Sequence, residues 1–336
     1  MKKVLCIGSA TKDVFVQLKE TRIIENPEEI TAKKLMAFEF GAKEYAESLV
    51  EKVGGSAVNM AAGLAKNDIR PFVLARTSKG ESGKWITKNI SKLHIKKNYM
   101  QQRGEEESEI SVVISDKANK DHIILRTGDS VNWFDVDKAL DKFREKADWI
   151  FVSSQKKNTR EKFSRIIKFA QEKKAGLALN PSSYQINEEI QELTELLDNF
   201  QILFVNRDEA IEILKNSGAK VEDNPDFLLK KLKEMGPGAV VMTDGANGAY
   251  AYDGTEMIYL EIQAKAVVDT VGAGDSFASG FLSSYIHDGE LKKALVWGMN
   301  NSASVVSSVG STEGLLKRKE LKKKEGEVLK KIKIMK

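Results

Sequence analysis

Short apolar runs, several of them β-branched, alternate along the chain with stretches whose apolar positions repeat at helical spacing. Val4–Ile7, Pro71–Ala75, Trp149–Val152, Gly176–Leu179, Ile202–Val205 and Ala239–Met242 read as strands. Phe163, Ile166, Ile167 and Ala170 fall at i, i+3, i+4 and i+7, so one apolar stripe of a helix faces a sheet. Strand–helix alternation of this kind predicts an α/β fold with a mainly parallel central sheet and helices on both faces. Ligands then gather at the carboxyl ends of the strands.

Two stretches break the order. Residues 14–50 and 98–127 carry extended patterns at Lys34–Phe40, Glu109–Ile114 and His122–Arg126, with turn residues at Ser115–Asp121. Both flank a glycine-rich segment at 54–63, which predicts a discontinuous β-rich lid over a site there. The rest, 1–13, 51–97 and 128–336, is expected to form the α/β core. Glu105, Glu106 and Glu107 read as a solvated turn.

Composition adds limits. With 336 residues, 41% hydrophobic and 30% charged, the chain suits one large globular domain with a small appendage. Its one cysteine, Cys6, excludes an internal disulfide and reads as a small buried hydrophobe. No apolar run reaches the length of a membrane span, and the four-residue run after Met1-Lys2-Lys3 is too short for a signal peptide, so a cytoplasmic protein is expected. The net charge of +4 is local: residues 317–336 hold ten Lys/Arg against three Glu, leaving 43 basic and 46 acidic groups elsewhere. No nucleic-acid partner is expected from that distribution, and the tail reads as a solvated terminal helix or frayed end. His94, His122 and His287 fit no metal-ligand spacing.

The chemistry concentrates near the C-terminus. In Val267–Gly280 a strand is expected to enter a glycine turn, and a helix to leave it with Phe277, Phe281, Leu282 and Tyr285 as its buried stripe. Gly272, Ala273 and Gly274 can turn backbone amides toward an anion at the helix start, and Asp275 in the first turn can accept a proton. A tight turn with a helix-start charge explains the same residues. The spacing is neither a dinucleotide fingerprint nor a phosphate loop of the Gly-x-x-x-x-Gly-Lys-Ser/Thr type.

The segment Asp269-Thr-Val-Gly-Ala-Gly-Asp275 resembles the C-terminal signature of the ribokinase-like (PfkB) carbohydrate kinases. Gly54-Gly55-Ser-Ala-Val-Asn59 resembles that family's glycine-glycine substrate signature, and Gly8–Asp13 its first strand and sugar-binding aspartate. Asn206-Arg-Asp-Glu209 is similar to its Asn-x-x-Glu element, and Thr243-Asp-Gly245-Ala-Asn-Gly248 to its nucleotide loop. The five occur in the family's order across residues 4–310. The resemblance implies a ribokinase-like three-layer α/β/α sandwich with a lid, and ATP-dependent phosphorylation of a hydroxymethyl group on a small sugar.

It also implies roles. Asp275 would be the general base and the amides of Gly272, Ala273 and Gly274 an anion hole. Asp13, Gly54, Gly55 and Asn59 would hold the sugar. Thr243, Gly245, Gly248 and Asn301 would border the nucleotide. Asn206 and Glu209 would hold Mg²⁺ through water, although a helix cap explains that pair as well. Asp269 would belong to a monovalent-cation loop, with K⁺ as the ion. The sequence departs from the ribokinase pattern at Thr11, Ser56, Gly41-Ala-Lys43 and Ser153-Ser154-Gln155, so a ribose-specific pocket is not expected. Arg103 and Arg126, in or near the lid, can read a phosphorylated substrate. A nucleoside kinase of the same fold, a sugar-phosphate kinase and a non-catalytic sugar or nucleotide sensor are the alternatives. Exposed lid strands suggest a homodimer pairing lid to lid.

Overall fold

The computed structural model describes every residue except 29–33, 106–107, 119–120, 128–133, 154–155, 265–266 and 336. Numbered in chain order, β6 (Arg70–Leu74), β1 (Lys3–Ile7), β11 (Trp149–Ser153), β12 (Gly176–Asn180), β13 (Ile202–Asn206) and β14 (Ala239–Thr243) lie side by side and parallel. Three further strands, β15 (Ala249–Tyr252), β16 (Met257–Leu260) and β17 (Lys333–Met335), extend the sheet antiparallel to nine strands.

The apolar runs are continuous because the sheet is covered on both faces. Along β1, Val4 and Cys6 point to one layer and Leu5 and Ile7 to the other. The first layer holds α1 (Ser56–Lys66), α2 (Glu81–Ile90), α9 (Ala273–Asp288) and α10 (Leu291–Val305). The second holds α3 (Val136–Lys142), α4 (Thr159–Lys173), α5 (Ser183–Glu188), α6 (Ile190–Thr194), α7 (Arg207–Asn216) and α8 (Pro225–Glu234). Cys6 is buried, and that burial pushes its thiol up, so it stays protonated and inert. Among the described residues no helix is long and apolar enough to cross a membrane.

The C-terminal tail forms the expected terminal helix, but seated on the core rather than free in solvent. It is a docked helix, α11 (Arg318–Leu329), followed by the edge strand β17. Leu321 and Val328 are buried, and Trp297 of α10 donates its indole N–H to Glu325. A few apolar residues spaced through a lysine-rich segment suffice to seat it, because lysine stems lie along the surface while their charges stay in water.

A second, four-stranded sheet stands over one end of the core, in the order β10 (Asp121–Thr127), β9 (Ile110–Asp116), β2 (Thr11–Leu18), β5 (Ser48–Gly54). A hairpin of β3 (Arg22–Glu25) and β4 (Lys34–Ala37) lies between β2 and β5 in sequence. A short parallel pair, β7 (Arg76–Thr77) and β8 (Gln101–Gln102), belongs with neither large sheet. Two boundaries differ from the sequence reading. Asp13 sits on the lid strand β2 rather than at the end of β1, and residues 51–54 close the lid strand β5.

That register explains Gly54. Thr11 faces Gly54 across the β2–β5 pair, and a Cβ on Gly54 would stand 1.8 Å from Asp13 Oδ2. The bare backbone there makes room for the aspartate and lies outside the cleft lining. Gly54→Ala is therefore expected to overpack the junction and lower stability by about 1–3 kcal/mol. A urea unfolding midpoint equal to that of the parent chain would show that Asp13 moves aside freely.

Candidate active site

The parallel strands end at a cleft roofed by the small sheet. One compartment lies under the lid, lined by Asp13, Asn59, Ser111, Arg126, Asn180 and Asp275 among others. A second adjoins it at Asp275, Gly272 and Glu209, and adds Asn206, Thr243 and Gly274. A third shares Thr243, Gly274 and Phe277 with the second and opens into an apolar slot walled by Ile262, Met299 and Val306. The compartments thus run as one channel, with Asp275 where the first meets the second.

Packing fixes Asp275 in that place. Its helix α9 is pinned to β13 by Phe281, whose ring meets Phe204 edge-on with centroids 5.4 Å apart and planes at 89°. The approach to α9 is irregular, not the expected strand: β16 ends at Leu260 and Val267–Thr270 adopt no regular element. Asn59 of α1 donates from Nδ2 to Asp275 Oδ2 at 2.8 Å, linking helices far apart in sequence. The Asn59 Oδ1 atom is buried without a partner among the described residues. Because a buried acceptor left unpaired is costly, this oxygen is suited to a hydroxyl that enters the compartment.

The carboxylates of the channel are all perturbed. Enclosure pushes Asp275 up to about 6, with the Asp13 charge adding to the rise, while the Asn59 hydrogen bond and the Arg126 charge oppose it. Glu209 is pushed up to about 7, first by burial and then by the nearby carboxylates of Glu212, Asp275 and Asp208. Burial also raises Asp13, against hydrogen bonds from Thr11 and Ser111 and the Arg126 charge. Thr11 Oγ1 donates to Asp13 Oδ1 at 2.6 Å, which fixes the carboxylate toward the compartment. A carboxylate titrating near neutrality can both hold and release a proton at working pH.

At the start of α9, the first-turn amides have no intrahelical partner. Gly272 caps the helix at φ +79°, and the position a Cβ would take on Gly274 meets no atom within 4 Å, so Gly274 borders open cleft. Ala273 departs from expectation: its amide donates to the Thr270 carbonyl at 3.2 Å. Gly272 and Gly274 line the second compartment, whereas the Ala273 amide closes the turn.

Asn206 and Glu209 form a full capping box on α7: Glu209 N donates to Asn206 Oδ1, and Asn206 N to Glu209 Oε2, both at 2.8 Å. The Asn206 amide oxygen is thus engaged by the cap, and Glu209 keeps one carboxylate oxygen toward the channel. Among the described residues, no three His, Cys, Asp or Glu side chains converge to cage a metal alone. The Glu209 carboxylate, raised in part by the charge of Asp275, is nevertheless a fitting neighbourhood for a hard divalent cation that retains waters.

The remaining expected residues divide. Gly55 lines the first compartment, while Thr243, Gly245 and Gly248 line the third. Asn301 does not reach the channel lining. It is fully buried, donating to the Ser276 carbonyl (2.7 Å) and accepting from Leu316 N (2.9 Å), which ties α9 to the C-terminal segment. Met299, Ser302 and Ala303 of the same helix face the slot instead. Asp269 accepts from Val271 N (3.0 Å) and Gly310 N (3.4 Å), contacts that fix two loops to each other. Ser154, Gln155, Glu106 and Glu107 lie outside the described residues. Sequence reasoning missed Ser111, Asn180 and Ser311, all of which line the first compartment. Ser111 is a polar residue inside an apolar strand run, and Asn180 closes a strand at its carboxyl end, so both carried a readable signal.

Comparison with known proteins agrees with this architecture. The family model described as "pfkB family carbohydrate kinase" matches residues 1–318. An ATP-dependent 6-phosphofructokinase of Thermoanaerobacterium thermosaccharolyticum is 26% identical over 286 residues, 82% of this chain and 86% of that protein. A nucleoside kinase of Methanocaldococcus jannaschii superposes with a TM-score of 0.73 at 19% identity, covering 97% of this chain and 99% of that one. A ribokinase of Cryptococcus neoformans in complex with ADP gives a TM-score of 0.72, also at 19% identity, over 96% and 100% of the two chains. Those two likenesses concern the fold, whereas the family model reads the sequence over nearly its full length. The chain therefore belongs to the pfkB family of carbohydrate kinases.

Proposed function

We propose that this kinase transfers the γ-phosphoryl group of ATP to a hydroxymethyl group on a small, sugar-like acceptor, with Asp275 as the general base. The observation that carries the reading is the place of Asp275, on the wall shared by a hydroxyl-rich compartment and a glycine-edged one, with its carboxyl raised to about 6. The acceptor lies under the lid, its hydroxyls on Asp13 and the Asn59 oxygen. Its reacting hydroxyl gives its proton to Asp275 as the oxygen attacks the γ-phosphorus, and the bond to the bridging oxygen breaks to release ADP. The Gly272 and Gly274 amides, at the positive end of α9, face the charge that develops on the phosphoryl oxygens. Mg²⁺ would be held by Glu209 through water and would neutralise phosphate charge. Asp269, which ties two loops together, would border a K⁺ site outside the active centre that orders the anion hole.

Two features favour a sugar over a nucleoside. Among the described residues, no aromatic ring lines the acceptor compartment, where a base would stack. Its walls instead carry the hydroxyls of Ser9, Thr11, Ser56, Ser111, Ser182, Ser183 and Ser311. A second reading, an acceptor that already bears an anionic group, is supported by Arg126. It is the one cationic side chain among the described residues lining the three compartments, and it sits on the acceptor side. The exposed Leu35, Phe40, Tyr45, Leu49 and Leu125 of the lid support pairing of two lids in a homodimer.

Asp275→Asn keeps the shape and removes the base, so turnover should drop about a hundredfold or more with ATP binding retained. Substantial turnover in that variant would remove Asp275 from its role. In the parent enzyme the base must be unprotonated, so kcat/KM should be flat above a pH of about 6 and fall about tenfold per unit below it. An ADP-release screen across neutral sugars, sugar phosphates, sugar acids and nucleosides tests the acceptor. Arg126→Ala should raise KM for an anionic acceptor and leave a neutral one unaffected. For the lid, a solution mass of twice 37.4 kDa is expected, and Leu49→Asp should halve it.

A further inference from the structure

The lid is joined to the loop that shapes the α9 amides by three contacts that converge from different strands. On β10, His122 Nδ1 lies 3.0 Å from Thr270 Oγ1. From β2 and β9, Phe15 and Val113 bury Val271, with Val309 packed against the same cluster. On β5, Lys52 Nζ pairs with Glu313 Oε1 at 2.6 Å. Glu313 follows Gly310, whose amide reaches Asp269 at the head of the same loop.

Thr270 is the point where these contacts matter most. Its carbonyl holds the Ala273 amide and so closes the turn that leaves Gly272 and Gly274 facing the channel. Its side chain borders the apolar slot on one side and receives His122 from the lid on the other. Apolar packing of Phe15 and Val113 on Val271 resists separation but sets no direction. The hydrogen bond between His122 and Thr270 is directional, and so fixes the rotation of Thr270 and the turn that follows.

We infer that His122 is a positioning residue for phosphoryl transfer: by holding Thr270 it makes the arrangement of the Gly272 and Gly274 amides depend on the lid being seated. The loop is complete only when the roof of the acceptor compartment is in place, which ties nucleotide chemistry to an occupied acceptor site. This inference rests on the kinase reading for its consequence but not for its geometry.

The test uses the full chain and three variants, His122→Ala, Thr270→Val and the double substitution, with His122→Asn as the conservative rescue. Loss of one hydrogen bond acting on the transfer step predicts a kcat lower by about three- to tenfold, with KM for ATP unchanged. Each single variant should show this loss, the double variant should lose no more than either single, and His122→Asn should recover most of it. Additive losses, or a loss carried wholly in KM, would overturn the inference. Amide hydrogen exchange over residues 268–276 gives a readout independent of catalysis. Exchange there should quicken in His122→Ala while the β1 and β11 amides stay protected, and unchanged exchange would overturn the latch whatever the activity. If instead the parent chain phosphorylates no acceptor yet the exchange responds, the latch stands and the proposed reaction fails.

Discussion

The site depends on one contact, the hydrogen bond from Asn59 to Asp275. It joins the first core helix, α1, to the helix that begins at the glycine turn, and does so where a carboxylate is being held against its solvation preference. Without a donor beside it, an enclosed carboxyl group would rise further and keep its proton. With a cation in direct contact it would fall and lose its basicity. A neutral amide at 2.8 Å leaves Asp275 near neutrality, where a proton can be both taken and given up. The Phe281–Phe204 contact holds the helix that carries one partner of that bond in place.

The core was legible because physical constraint and sequence signal coincide there. A strand covered on both faces must be apolar at every position, so each of the six parallel strands left a run that could be read directly. The five short motifs were legible for a related reason: backbone turns and converging polar groups tolerate few residue types. β15, β16 and β17 were not read. The first two are only four residues long, β15 alternating partly exposed residues with buried ones, and β17 is three residues in a lysine-rich tail.

Individual residue roles were less legible, since a residue type states what a group can do and not which neighbour has already engaged it. Gly54 looked like a place where substrate meets backbone, but its space is filled by Asp13. Ala273 looked like an anion-hole amide, yet its N–H closes the turn at Thr270. Asn301 lies on the helix that flanks the slot, but on the side that faces α9, a matter of about a quarter turn. The Asn206–Glu209 pair kept both its readings: a cap by geometry, with one acidic oxygen left over. At Gly54 and Asn301 the deciding neighbour is distant in the chain, which no local pattern encodes, whereas Ala273 and the Asn206–Glu209 pair are engaged three residues away, by bonds that a local pattern permits without requiring.

The lid sheet is assembled from strands that the chain visits in two separate excursions, β2 to β5 and β9 to β10, returning to the core after each. On the first excursion the links to the core are residues 8–10, between β1 and β2, and Gly55, between β5 and α1. A flap on one long hinge can swing wide, but a plate joined to its base through links of three residues and of one has little freedom except to rock about that base. Rocking of that kind widens the mouth of the cleft only slightly, a limit of shape that is separate from the polar groups inside.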